Sequence, residues 1–125
     1  MRFRVSIAIG GILLLLGAAA TAPATTTRSP TRVTFGYVEP KIAQAGELVR
    51  FRGTVIGSGP SISAGALFGV SESGSTTFKK IIRIHEGHFN TWIRLSKRGV
   101  YRVFVFYPGD SGRLPSRASV TIRVT

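Results

Sequence analysis

Nine consecutive residues, Gly99-Val100-Tyr101-Arg102-Val103-Phe104-Val105-Phe106-Tyr107, are aromatic or β-branched almost throughout, and Pro108-Gly109-Asp110-Ser111-Gly112 ends them in a turn. Side chains of these types fit a pleated surface, and apolar residues on both parities predict a strand buried on both faces, hence a central one. Such a strand needs neighbours. One follows at once, where Ala118, Val120, Ile122 and Val124 alternate with Ser119, Thr121, Arg123 and Thr125. One dry and one wet face is the signature of an antiparallel sandwich.

The same period of two recurs upstream. Val33, Phe35 and Tyr37 alternate with Arg32, Thr34 and Gly36 until Glu39-Pro40, and Leu48 to Val55 places Val49, Phe51 and Val55 opposite Arg50 and Arg52. Gly57-Ser58-Gly59-Pro60-Ser61 is a loop by its breakers. Ala64 to Ser71 is a third strand, with small residues on one parity that point to close packing or a bulge. Phe78 to Ile84 is a fourth, and Lys80 on its apolar parity predicts a bulge or an edge. His88 to Leu95 is a fifth, with Trp92 on the outward parity. Seven short strands, with turns of Gly, Pro and Ser between them and no helical periodicity after residue 24, predict an all-β fold: a seven-stranded antiparallel immunoglobulin-like sandwich. In such sandwiches a tyrosine entering the sixth strand turns its hydroxyl back onto upstream backbone, and Gly99-x-Tyr101 is placed to form that structural corner.

Ahead of the sandwich, Met1-Arg2-Phe3-Arg4, an apolar run from Val5 to Leu16 and Ala22-Pro23-Ala24 form the three parts of a secretory signal peptide. The cut is expected after Ala24, since a cut after Ala22 would leave Pro23 at the first mature position; an uncleaved anchor is the alternative. The expected organisation is therefore a leader over 1–24, a Thr-rich flexible linker over 25–31 and the sandwich over 32–125. A secreted chain of this kind acts in the periplasm or outside the cell, released or held by charge. Cysteine is absent, which removes disulfides, lipid attachment and thiol chemistry together.

The order Ala45-Gly46-Glu47-Leu48-Val49-Arg50-Phe51-Arg52-Gly53-Thr54-Val55, then Gly87-His88-Phe89, Gly99-Val100-Tyr101-Arg102-Val103, Tyr107-Pro108-Gly109-Asp110 and Ser116-Arg117-Ala118-Ser119-Val120, resembles the bacterial immunoglobulin-like domains of secreted and surface proteins. The resemblance covers the whole mature chain. It implies a spacer, an adhesin stalk or a carbohydrate-associated module, without catalytic residues. Phe78 stands where such modules often carry tryptophan.

Two motifs invite chemistry. Gly109-Asp110-Ser111-Gly112 matches the tetrapeptide around a serine-protease nucleophile, but a catalytic base oriented by a second acid is needed as well. A turn in which Asp110 bonds its own backbone is the expected role. His85-Glu86-x-His88 holds two imidazoles and a carboxylate, yet zinc-protease histidines stand four apart on a helix, and these stand three apart around a glycine. No enzyme, no metal and no cofactor is expected.

Charge is the remaining signal. Lys and Arg number 17 against 5 acids, and loss of Arg2 and Arg4 with the leader would leave a net charge of +10. A field of this size attracts anionic polymers and surfaces. On the predicted sandwich Arg50, Arg52, Trp92 and Arg94 share one outer face, with Arg83 near it and Arg102 and Arg123 on the other sheet. Planar guanidinium groups suit phosphate and carboxylate, and an aromatic among them stacks on a sugar ring. The expectation is a non-enzymatic structural or interaction module of the bacterial envelope or exterior, with a basic module for anionic envelope polymers or glycans as the alternative. Partners are envelope polyanions or glycans, or another envelope protein at an edge strand. No specific nucleic acid is expected, and the membrane is met only through an uncleaved leader.

Overall fold

A computed structural model describes residues 27–125. The leader expected over 1–24, with its cut after Ala24, lies outside the described residues.

The strands are β1 (Thr31–Glu39), β2 (Ile42–Ala43), β3 (Leu48–Gly57), β4 (Ala64–Glu72), β5 (Ser75–Ile84), β6 (His88–Arg94), β7 (Gly99–Tyr107) and β8 (Ser116–Val124). They form two layers, a three-stranded sheet β1-β3-β6 and a five-stranded sheet β2-β8-β7-β4-β5. Pairing β3 with β6 in one layer, opposite a β8-β7-β4 trio, is the strand order of an immunoglobulin-like sandwich.

Eight strands replace the seven expected. The addition is β2, formed where the chain leaves the smaller sheet after Pro40 and lays two residues beside the end of β8, pairing Ile42 with Arg123 and Ala43 with Val124. That pairing is parallel, so the sandwich is not antiparallel throughout. Two residues are too few to show any alternation, which is why no pattern announces them.

Between the layers lies one core. Val49, Phe51, Val55, Phe89 and Ile93 come from the smaller sheet; Phe68, Val70, Ile84, Tyr101, Val103, Val105, Tyr107 and Ile122 come from the larger. Phe51 meets Phe68 across the layers edge to face, ring centres 5.4 Å apart. Such a pair adds about 0.5–1.5 kcal/mol beyond the area it buries.

β7 is central, between β4 and β8, but it is not buried on both faces. Tyr101, Val103, Val105 and Tyr107 face the core, whereas Phe104 and Phe106 are half-buried on the outside. Neighbours on the same face shield them. Gly69 lies across from Phe104 and leaves the space a side chain would fill, so the ring lies flat there, and the Arg117 guanidinium carbon stands 4.5 Å from the centre of the ring.

β5 is an edge strand, and Lys80 on its inward parity is half-buried. Its ammonium donates to the Trp92 carbonyl of β6, 3.2 Å away, closing the seam between the edges of the two sheets. The stretch read as a linker is fastened at its described end. The Ser29 amide donates to the Gly112 carbonyl and the Ser29 carbonyl accepts from Leu114, while Thr31 already belongs to β1.

Candidate functional site

The candidate face is the outer side of the three-stranded sheet. β3 buries Val49, Phe51, Gly53 and Val55, so the alternation of a strand turns Leu48, Arg50, Arg52 and Thr54 outward. β6 buries Phe89, Thr91 and Ile93 and presents His88, Asn90, Trp92 and Arg94. Register then composes rows across the sheet: Glu39, Arg50 and Trp92 in one, Tyr37, Arg52 and Asn90 in the next, with Arg94 opposite Leu48. All four residues that the sequence places on this face, Arg50, Arg52, Trp92 and Arg94, therefore stand together on it.

Trp92 is 52% exposed. The Arg50 guanidinium carbon lies 6.0 Å from its ring centre and the Lys80 ammonium 5.9 Å. Arg52 stands 5.1 Å from the ring of Tyr37, itself 42% exposed. Cation–aromatic contacts at such exposed sites are worth about 0.5–1 kcal/mol each. Their greater use is to hold long side chains upright over the sheet, which lowers the entropy a ligand must remove. Arg94 is partly committed, since its Nη1 donates to the Gly46 carbonyl at 3.1 Å.

Tyr37 is a correction. Its parity in the sequence sets it on the dry side with Val33 and Phe35, but an irregularity in the β1–β3 register between Phe35 and Tyr37 flips the alternation and brings it outward. Gly36 is the signal that could have shown this, because glycine inside a strand marks bulges. Arg83 belongs to the other sheet, yet with Arg52, His85 and His88 it lines a cleft of about 440 Å³ at the β5–β6 turn. Arg102 and Arg123 stand on the outer side of the five-stranded sheet, together with Lys79 and Arg117. The positive charge thus covers both faces, and what sets the smaller sheet apart is exposed aromatic rings beside its cations.

The corner is formed by β7. The Tyr101 hydroxyl donates to the Lys97 carbonyl at 2.6 Å. Burial pushes the phenol up from its ordinary value, and the Glu72 carboxylate adds to the shift. At Gly99, φ is +157° and a Cβ would displace the Glu72 carboxylate.

In the loop between β7 and β8, Asp110 Oδ1 accepts from the Gly112 amide at 2.8 Å, and Oδ2 accepts from Tyr107 at 3.1 Å and Arg113 at 3.2 Å. The Gly112 amide is the chief cause of the carboxyl being held below the usual carboxylate range, with Tyr107 and Arg113 adding to it. Arg113, which no local pattern singles out, also donates to the carbonyls of Ser58 and Pro60 and so ties this loop to the one between β3 and β4. Asp110 is thus engaged in closing a turn. His85 and His88 exchange backbone bonds of 2.7 and 2.9 Å across Glu86 and Gly87. Both central residues have positive φ, the geometry of a type I′ hairpin turn. Among the described residues, no three His, Asp or Glu side chains group as metal ligands.

No family model matches the chain, and no curated protein does. Among solved structures, an engineered protein is similar at a TM-score of 0.57 and 14% identity, over 86% of this chain and 21% of that one. The chain thus spans about a fifth of that protein's length. A β-glucosidase from Listeria innocua in complex with glucose is similar at a TM-score of 0.48 and 13% identity, over 77% of this chain and 16% of that one. A CARDB domain from Pyrococcus furiosus in complex with di-metal ions gives a TM-score of 0.43 at 11% identity, over 77% of this chain and 91% of that one. The first likeness is one of fold alone, and the other two are weaker still and bear on nothing further.

Proposed function

We propose that the chain is a secreted, non-catalytic module of the bacterial immunoglobulin-like kind that works by contact in the cell envelope or outside it, and that its contact surface is the outer face of the three-stranded sheet. Secretion is supported by the leader-like sequence of residues 1–24. A contact role is supported by the use of the reactive-looking groups: Asp110 and the His85–His88 segment are both spent on turns. Of the edge strands, β5 carries an inward lysine and β1 a register break, devices that discourage pairing with a further strand.

The observation that carries the choice of face is the pair of rows Arg50–Trp92 and Arg52–Tyr37. It favours the more specific reading, a basic module that holds anionic envelope polymers or glycans, because guanidinium groups recognise carboxylate and phosphate while the rings accept sugars. Heparin-affinity chromatography tests this. The full chain is expected to be retained at low salt and released steeply as salt rises, and Arg50→Ala with Arg52→Ala is expected to elute markedly earlier. Elution indifferent to both substitutions would remove the reading.

A further inference from the structure

β5 and β6 are neighbours in sequence but edges of opposite sheets, so no ladder closes the seam between them. Lys80 bridges the seam at Trp92. Beside that bridge the seam opens into a cleft of about 710 Å³, lined in part by Glu72, Thr77, Phe78, Trp92, Ser96 and Lys97. This size lies within the range of small-molecule sites. Phe78 is 41% exposed, although its parity matches buried Ile82 and Ile84. A register break in the β4–β5 ladder beside it, between Val70 and Ser71, accompanies that exposure.

We propose that this cleft seats one sugar ring of an acidic glycan whose charged groups lie on the neighbouring arginine face, with Trp92 shared by both. The site presupposes the polyanion reading above and adds to it the class of polymer. Two solvent-facing aromatic rings suit the apolar C–H face of a pyranose, and the rim of a sugar needs acceptors and donors at once. Glu72 accepts, Lys97 donates 3.8 Å from it, and the hydroxyls of Thr77 and Ser96 do either.

These groups are held in place. Gly99 leaves room for the Glu72 carboxylate where any Cβ would displace it. The Tyr101 hydroxyl fixes the backbone of Lys97, and Tyr101 itself lines the cleft. The tyrosine corner is therefore also the floor of the site. Arg50 and Lys80, which flank Trp92, do not line the cleft, whereas Arg94 belongs both to it and to the arginine face. A chain lying on Arg52 and Arg50 thus leads along Trp92 into the seam.

Trp92 is the only tryptophan, so its emission follows binding at the cleft and at the arginine face, and Phe78→Ala tells the two apart. The full chain would be titrated with a heparin hexasaccharide and, separately, with inorganic polyphosphate, which has the charge but no ring to stack. The hexasaccharide is expected to shift Trp92 emission saturably, and Phe78→Ala to weaken its binding about three- to tenfold. Polyphosphate is expected to bind Phe78→Ala as it binds the unmodified chain, which also shows that the variant is folded. Equal hexasaccharide affinity with and without Phe78, or an equal loss for both probes, would overturn the cleft while leaving the arginine face intact. Failure of both probes to bind would overturn the arginine face, and the cleft with it.

Discussion

Both outer faces of this sandwich are positively charged, and they use their aromatic residues in opposite ways. On the five-stranded side Phe104 lies flat in the space left by Gly69 with Arg117 above it, and no acidic side chain stands on that face among the described residues. On the three-stranded side Trp92 and Tyr37 stand in solvent between cations, and Glu39 shares a row with Arg50. One face covers its rings with its own chain and the other leaves them for something else. On the function proposed above, the uncovered rings beside the charge, and not the charge alone, single out the contact face.

Glycine substitutions break or sharpen this contrast most strongly. Gly53 faces the core, where a Cβ would strike the Thr34 carbonyl and the ring of buried Phe89. Gly53→Ala is expected to cost about 3 kcal/mol, read as a lower urea midpoint. Tyr101→Phe removes the bond to Lys97 at the corner and is expected to cost about 1–2 kcal/mol by the same measurement. In Gly69→Ala the atoms nearest the new Cβ belong to the Phe104 ring, which stands half-buried on the outer face and can shift with the Arg117 side chain over it. Its expected cost is about 1 kcal/mol. A cost as large as that of Gly53→Ala would mean that the five-stranded face is packed like the interior.

Acid separates the loops from both faces. Asp110 titrates below its unfolded value, so its stabilisation is complete above the unfolded pKa and is lost as pH falls through the folded one. Asp110→Asn is expected to flatten the acid limb of a stability–pH curve and to lower stability at neutral pH, where the ionised carboxylate holds the turn. Arg50→Ala with Arg52→Ala removes two exposed cation–aromatic contacts and is expected to cost about 1 kcal/mol in stability, no more than Gly69→Ala.

Most of the strands are legible in the sequence, because alternation survives wherever one face of a strand is dry: Val49, Phe51 and Val55 on β3, or Phe89 and Ile93 on β6. The grouping of Arg50, Arg52, Trp92 and Arg94 follows from that alternation once β3 and β6 are paired. Other features are not legible, for physical reasons. Tyr37 reaches the face through a break in register, which reverses parity with only Gly36 to announce it. Phe104 and Phe106 look like core residues because nothing local says that a glycine on the neighbouring strand shelters the ring from outside. Arg113 acts across 53 residues of chain on Pro60, a distance over which spacing carries no information. The 710 Å³ cleft arises where two sheet edges diverge, a property of the assembled layers and of no single segment.

The contrast between faces reduces to one measurement, the salt concentration at which the full chain leaves a heparin column, compared for Arg50→Ala with Arg52→Ala and for Arg102→Ala with Arg123→Ala. Each pair removes two guanidinium groups from one outer face and the same net charge. The first pair is expected to elute much earlier and the second close to the unmodified chain. Equal shifts for the two pairs would show that net charge binds the polymer and that the rings beside Arg50 and Arg52 have no part in it.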